Sequence, residues 1–194
     1  MNLKKRIIHE SLRLFSLKGF LSTSIQDILS AAQTSKGGFY NHFKSKEDLF
    51  YQVLEEARKI WRERCLYRLD QEKDAVSKVK QLLKNFKHRY LIDSENFPGG
   101  CIFIKFAIEL GDQRPQLSQE VHQGFTGLKA MIQRLLDEAN DVGQFPNSIS
   151  TGTVTNILFN GMLGASVNYN VNHSADDLTQ SINSLIHYVD ALKA

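Results

Sequence analysis

Apolar residues recur at three- and four-residue spacing through most of the chain, a period that predicts helices rather than strands. Near the start, Ile8, Ser11, Leu12 and Phe15 share one side of residues 3–18 and Arg6, Glu10 and Arg13 the other. This is an amphipathic helix, and Gly19 is placed to stop it. Thr23-Ser24 offers an N-cap for a shorter helix through Ile25, Ile28, Leu29 and Ala32. Asp27 falls in its first turns, where a negative charge suits the helix dipole. Gln33-Thr34 breaks that helix, and Ser35 caps a third one predicted to end near Phe43. Phe39 and Phe43, four residues apart, share its inward face. A helix followed by two short helices across a tight turn has the spacing of a helix-turn-helix, whose second short helix enters the major groove of DNA.

The same period continues without a strand-like alternation. Ser45 opens a helix predicted to reach Leu69, with Leu49, Val53, Leu54, Ala57, Ile60 and Trp61 on its apolar side. Residues 74–92 read as one helix through Val76, Val79, Leu83, Phe86 and Tyr90, and residues 96–100 as the clearest loop. A short apolar helix over 101–111 and a long one opened by Pro115 follow, the latter carrying Leu117, Val121, Phe125, Leu128, Ile132 and Leu135. After a loop at 142–147, helices over 150–170 and from about Leu178 to Leu192 close the chain. The expected fold is all-α, a helix-turn-helix domain over 1–47 followed by a helical domain over 48–194.

Composition changes this picture in two places. The net charge is only +3, but residues 1–50 hold eight basic against four acidic side chains and the rest holds 16 against 17. The whole positive excess lies in the first quarter, which fits either an anion-binding module or a solvated face. The 2 cysteines, Cys65 and Cys101, have neither metal-ligand spacing nor a disulfide framework, so a reducing cytoplasm is expected, with no metal and no cofactor. No apolar run approaches the ~18 residues of a membrane span, and the basic start leads into an amphipathic pattern, so neither a signal peptide nor a membrane partner is expected.

The first fifty residues resemble the DNA-binding domain of TetR/AcrR-family transcriptional repressors. The likeness rests on Ser11-Leu12-x-Leu14-Phe15, Lys18-Gly19-Phe20 and Thr23-Ser24-Ile25-x-Asp27-Ile28. Above all it rests on Ser35-Lys36-Gly37-Gly38-Phe39-Tyr40-x-His42-Phe43-x-Ser45-Lys46-Glu47-x-Leu49. The resemblance implies a non-enzymatic repressor. In it Thr23 and Ser24 cap the second helix against a phosphate. Ser35, Lys36, Gly37, Gly38, Tyr40, Asn41 and His42 belong to the recognition helix. Tyr40, His42 and Lys46 match positions that hold phosphates. The resemblance also implies a homodimer paired through the last two helices, about 150–192, on a near-palindromic double-stranded operator, with a small-molecule or reactive effector held in an effector-binding and dimerisation domain.

Two departures stand out. Ala32-Gln33-Thr34 replaces the usual Ala-Gly-Val at the turn, so a left-handed Gln33 would cost on the order of 1 kcal/mol. Gly38 stands where the family often has Thr or Ser, which leaves base reading to Lys36 and Asn41.

Gly100-Cys101-x-x-x-Lys105-x-x-x-Glu109 resembles a subgroup that includes sensors of oxidants and electrophiles. A helix N-terminus and the Lys105 ammonium would favour a Cys101 thiolate, whereas a buried, inert thiol is the plainer reading. Phe103, Phe106, Phe125, Phe159 and Met162 are either core or the lining of an effector site. A function of another class, a thiol-dependent helical enzyme using Cys101, is the alternative.

Overall fold

The structure, a computed structural model, describes residues 1–146 and 149–193, and every regular element among them is helical. Asn147, at the end of the expected 142–147 loop, lies outside the described residues, as does Ala194. Helix α1 (Leu3–Lys18) starts where the Asn2 side chain accepts from the Lys5 amide at 2.9 Å. It ends at Gly19, whose φ of 85° only glycine adopts freely. Its buried face runs through Ile7, Ser11, Leu12 and Phe15, with Ile7 in the place expected for Ile8. Positions 7, 11 and 15 step by fours along the side that meets α4, and Ile8 lies at the margin of that stripe.

Helix α2 (Ile25–Ala31) carries a capping box, Ser24 and Asp27 each accepting the other's backbone N–H. Gln33 turns left-handed at φ 46°, and the chain leaves toward α3 (Lys36–Tyr40). The Arg6 side chain donates to the Ala32 carbonyl at 2.9 Å and ties that turn to α1.

Helix α4 (Lys46–Cys65) contains the expected 47/48 boundary within its first turn, so the helix-turn-helix segment (the reader) and the helical part after it (the body) share one rod. It stops four residues before Leu69. The Asn85 amide donates to the carbonyls of Cys65 and Tyr67 at 3.0 and 2.7 Å, and Arg68 turns left-handed into a 3-10 turn, Leu69–Gln71. The expected 74–92 helix also changes character. Helix α5 (Ala75–Asn85), capped by Asp74, passes into a π-helical stretch, Phe86–Leu91, that stacks Phe86 on Tyr90 at 5.7 Å. Helices α6 (Ile102–Leu110), α7 (Pro115–Asp141), α8 (Thr151–Asn172) and α9 (Ala175–Ala191) complete the body. In it α7 packs on α5, α6 and α8, and α9 on α8 and α5.

Between reader and body sits a cluster of four buried phenylalanines. Phe50 of α4 faces Phe20 at 5.1 Å and Phe106 of α6 at 4.9 Å, while Phe15 of α1 touches Phe20 and Phe106 at 5.5 and 6.1 Å. Phe106 is therefore part of the joint between the two halves.

Candidate nucleic-acid interface and effector cavity

Helix α3 is held from below and presents its upper side. Phe39 and Phe43 are buried and pack at 5.4 Å, while Ser35, Lys36, Gly37, Tyr40, Asn41 and His42 are exposed. Ser35 Oγ accepts from the Gly38 amide at 3.1 Å and caps the helix. The helix closes at Tyr40, earlier than expected, and Asn41 follows as its C-cap with its amide donating to the Gly37 carbonyl. Tyr40, 50% exposed, is a surface group leaning edge-on against Phe39. One cation, a phenol, an imidazole, an amide and a hydroxyl thus stand exposed along residues 35–42, the donor and acceptor set that meets phosphates and base edges.

Three residues expected at this face sit elsewhere. Thr23 is fully buried, its hydroxyl donating to the Gly19 carbonyl at 2.6 Å, so Ser24 alone stands exposed at the head of α2. Gly38 looks inward: a Cβ there would land on the Thr34 hydroxyl, with Leu3 at 3.4 Å. Its missing side chain therefore makes room for α1 and the turn. Lys46 also turns in. Its ammonium donates to the carbonyls of Phe20 and Thr23, each at 2.9 Å, and lies 4.4 Å from the Phe20 ring centre. Burial lowers its pKa from the ordinary lysine value.

The same turn between α1 and α2 is gripped from the other side by α6. Lys105 donates to the Leu17 carbonyl at 2.9 Å, and the Glu109 carboxylate accepts from the amides of Phe20 and Leu21. Burial raises the Glu109 pKa, and those two amides pull it back down. The loop before α6 joins in: the Gly99 amide donates to Ser16 Oγ at 3.0 Å, and Arg13 donates to the Glu95 carbonyl. Nothing short-range in the sequence announces these contacts, which link positions more than eighty residues apart. The Lys105 ammonium thus serves a main-chain oxygen of α1 rather than a thiolate.

At its other end, α6 forms part of a half-open cavity of about 430 Å³ lined by α4, the π-helical stretch, α6, α7 and α8. Phe103, Phe125, Met162 and Cys101 all line it, together with Trp61, Phe86 and Met131. Phe159 does not; it packs edge-on against Phe125 at 5.8 Å. Cys101 departs from the expected thiolate. Its sulfur pairs with the Tyr90 hydroxyl at 3.4 Å, and burial raises its pKa despite the neighbouring amides of Phe103 and Ile104. Cys65, the last residue of α4, is likewise buried and its pKa raised by desolvation.

Family matches fall in both parts of the chain. Residues 7–53 match the family described as bacterial regulatory proteins, tetR family, and residues 75–185 match the tetracyclin repressor-like C-terminal domain. The HTH-type transcriptional repressor DhaR of Mycobacterium sp. (strain GP1) is 24% identical over 91% of this chain and 87% of its own length. A crystal structure of a TetR transcriptional regulator from Chloroflexus aurantiacus J-10-FL superposes with a TM-score of 0.89 at 26% identity, covering 97% of this chain and 94% of that one. A cysteine-substituted mutant of the TetR-family regulator CifR, complexed with 26 bp operator DNA, shares the fold at a TM-score of 0.80 and 16% identity, over 94% of each chain.

Proposed function

We propose, because this chain belongs to the TetR family of bacterial transcriptional regulators, that it represses transcription as a homodimer whose grip on a near-palindromic operator is released by a small molecule bound in the body. One observation carries the release half of this reading. A single short helix, α6, lines the cavity with Cys101 and Phe103 and holds the α1–α2 turn with Lys105 and Glu109. A ligand that displaces the α6 N-terminus acts directly on the backbone that orients the reader. Ser24, Ser35, Lys36, Gly37, Tyr40, Asn41 and His42 form the DNA-facing set, with Lys36 and Asn41 as the base readers. CifR, a neighbour in fold, is the precedent for operator DNA on this architecture.

The dimer reading rests on α8. Ile157, Asn160, Gly164, Val167 and Val171 are exposed and step by threes and fours along one stripe, an apolar seam that its own chain leaves uncovered. Gly161 faces inward instead, where a Cβ would meet Leu185 of α9 at 2.5 Å. The enzyme alternative finds little support at Cys101, since the thiol is raised by burial and is partnered by a phenol and not by a base.

A salt-dependent gel shift on the DNA flanking its own coding region tests the function. A sequence-specific complex that weakens steeply with salt is expected, and the absence of any such complex would refute the reading. Lys36→Ala or Asn41→Ala should relax discrimination between operator and mismatched sites by about 1–3 kcal/mol, measured by competition binding. Unchanged discrimination would remove these two from the reading face. Paired substitution of Lys105→Met and Glu109→Gln should cut effector-induced release by fivefold or more, about 1 kcal/mol of coupling. Release of normal size in that variant would mean that α6 does not carry the signal.

A further inference from the structure

The cavity wall says which chemistry it will accept. Its apolar lining is mainly aromatic and thioether, Trp61, Phe86, Phe103, Phe125, Met131 and Met162, alongside three leucines. Of its uncharged polar side chains, Gln123 is exposed to solvent, and Ser166 and Cys101 are engaged within the chain. Ser166 donates to the Met162 carbonyl at 2.9 Å, and Cys101 is paired with Tyr90. The charged side chains on the wall also satisfy one another. Arg62 bonds Glu55 at 2.9 Å, and Arg58 donates to the Glu120 carbonyl at 2.6 Å while lying 3.4 and 3.7 Å from the carboxylates of Glu120 and Glu55. Two guanidiniums against two carboxylates leave that rim neutral. A charged guest would lose its hydration and would have to break one of these pairs to regain a partner.

We infer that this cavity takes a neutral, predominantly apolar molecule carrying an aromatic ring. The inference rests on the reading of the cavity as the effector site and narrows it to a chemical class. The volume lies in the range of sites that enclose drug-sized ligands. Aromatic edges and sulfur atoms around the space favour a flat π-system over a branched aliphatic one. Helix α7 contributes room as well. Gly124 and Gly127 line the cavity, and a Cβ at either would meet nothing within 4 Å. No close packing requires these glycines in a helix interior, where each weakens the helix relative to alanine. Their effect is to leave space beside Phe125 for a guest.

Trp61 is the sole tryptophan of the chain and lines the cavity, so its emission reports occupancy without a label. Three biphenyls differing only in one para substituent (hydroxymethyl, acetate or aminomethyl) are titrated into the full-length protein at neutral pH. Tryptophan-selective fluorescence and calorimetry follow binding, and operator release is followed in parallel. The hydroxymethyl compound is expected to bind at least about tenfold more tightly than either ion. Gly124→Leu, or Gly127→Leu if the first is poorly folded, should weaken it by a similar factor with unchanged helical circular dichroism. Equal or tighter binding of the acetate or the aminomethyl compound overturns the inference. So does the absence of any response from all three, or undiminished binding in a folded leucine variant. The two readings separate cleanly. Preferred binding of the neutral biphenyl with the operator complex intact supports the ligand class and refutes effector release. Release driven preferentially by a charged biphenyl does the reverse.

Discussion

Phe106→Ala is expected to cost about 3–5 kcal/mol of folding stability, the largest effect of any single truncation considered for this chain. Phe106 is completely buried and is touched by Phe15 from the reader and Phe50 from the rod that joins reader to body. Removing the ring leaves a void where three helices meet, and none of the three can close it alone. Helix α1 is held to α6 and its flanking loop by Lys105, Glu109 and Gly99, and α4 is anchored along its length by Leu49, Val53, Leu54 and Ala57. Chemical denaturation followed by circular dichroism checks the size. A loss below about 1 kcal/mol would mean that the cluster repacks and that the joint is softer than its geometry implies. Phe106→Leu restores most of the volume and should recover much of the loss, which separates packing from any ring-specific effect.

Gly99→Ala is the second. The added methyl would coincide with the Ser16 carbonyl oxygen, with the Leu17 Cα only 2.7 Å away. Both are main-chain atoms of α1, so no side-chain rotation relieves the clash. Either the loop before α6 lifts from α1, losing the Gly99–Ser16 hydrogen bond, or the C-terminal turn of α1 distorts. Overpacking of this kind costs about 1–3 kcal/mol. The functional consequence is larger than the stability cost, because the displaced segment adjoins the Leu17 carbonyl held by Lys105. Operator affinity and the response to effector should change together, read by gel shift with and without ligand. A variant with wild-type melting and a wild-type gel shift would show that the loop is not pressed against α1 in solution.

The reader was legible because its signals are local. Ser24, Ser35 and Ser45 each stand just ahead of a helix and each caps it, and Phe39 and Phe43 lie four apart and go inward together. The left-handed Gln33 was readable as a departure from glycine at a turn. Periodicity alone left the choice between Ile7 and Ile8 open, because adjacent apolar residues differ by only one helical step and the partner helix decides which is covered. The ends of α4 and α5 were beyond reach for another reason. An asparagine twenty residues downstream takes the last carbonyl of α4, and a π-helical stretch has no sequence period of its own. Lys46 was misplaced because its acceptors are carbonyls 23 and 26 residues upstream, and main-chain acceptors leave no mark in a side-chain pattern. Phe103, Phe125 and Met162 line the cavity, whereas Phe106 and Phe159 share the same spacing and differ only in what tertiary packing puts opposite them.

Lys46, Lys105 and Glu109 have one more property in common: each grips backbone atoms of residues 17–23. These contacts follow the path of the chain, while Phe15, Ser16 and Phe20 meet the body through their side chains. The reading head is in that sense a cartridge. A first segment taken from a relative with a different operator, keeping Phe15, Ser16, the glycine at 19 and the buried aromatic at 20, should seat in this body and bring its own operator with it.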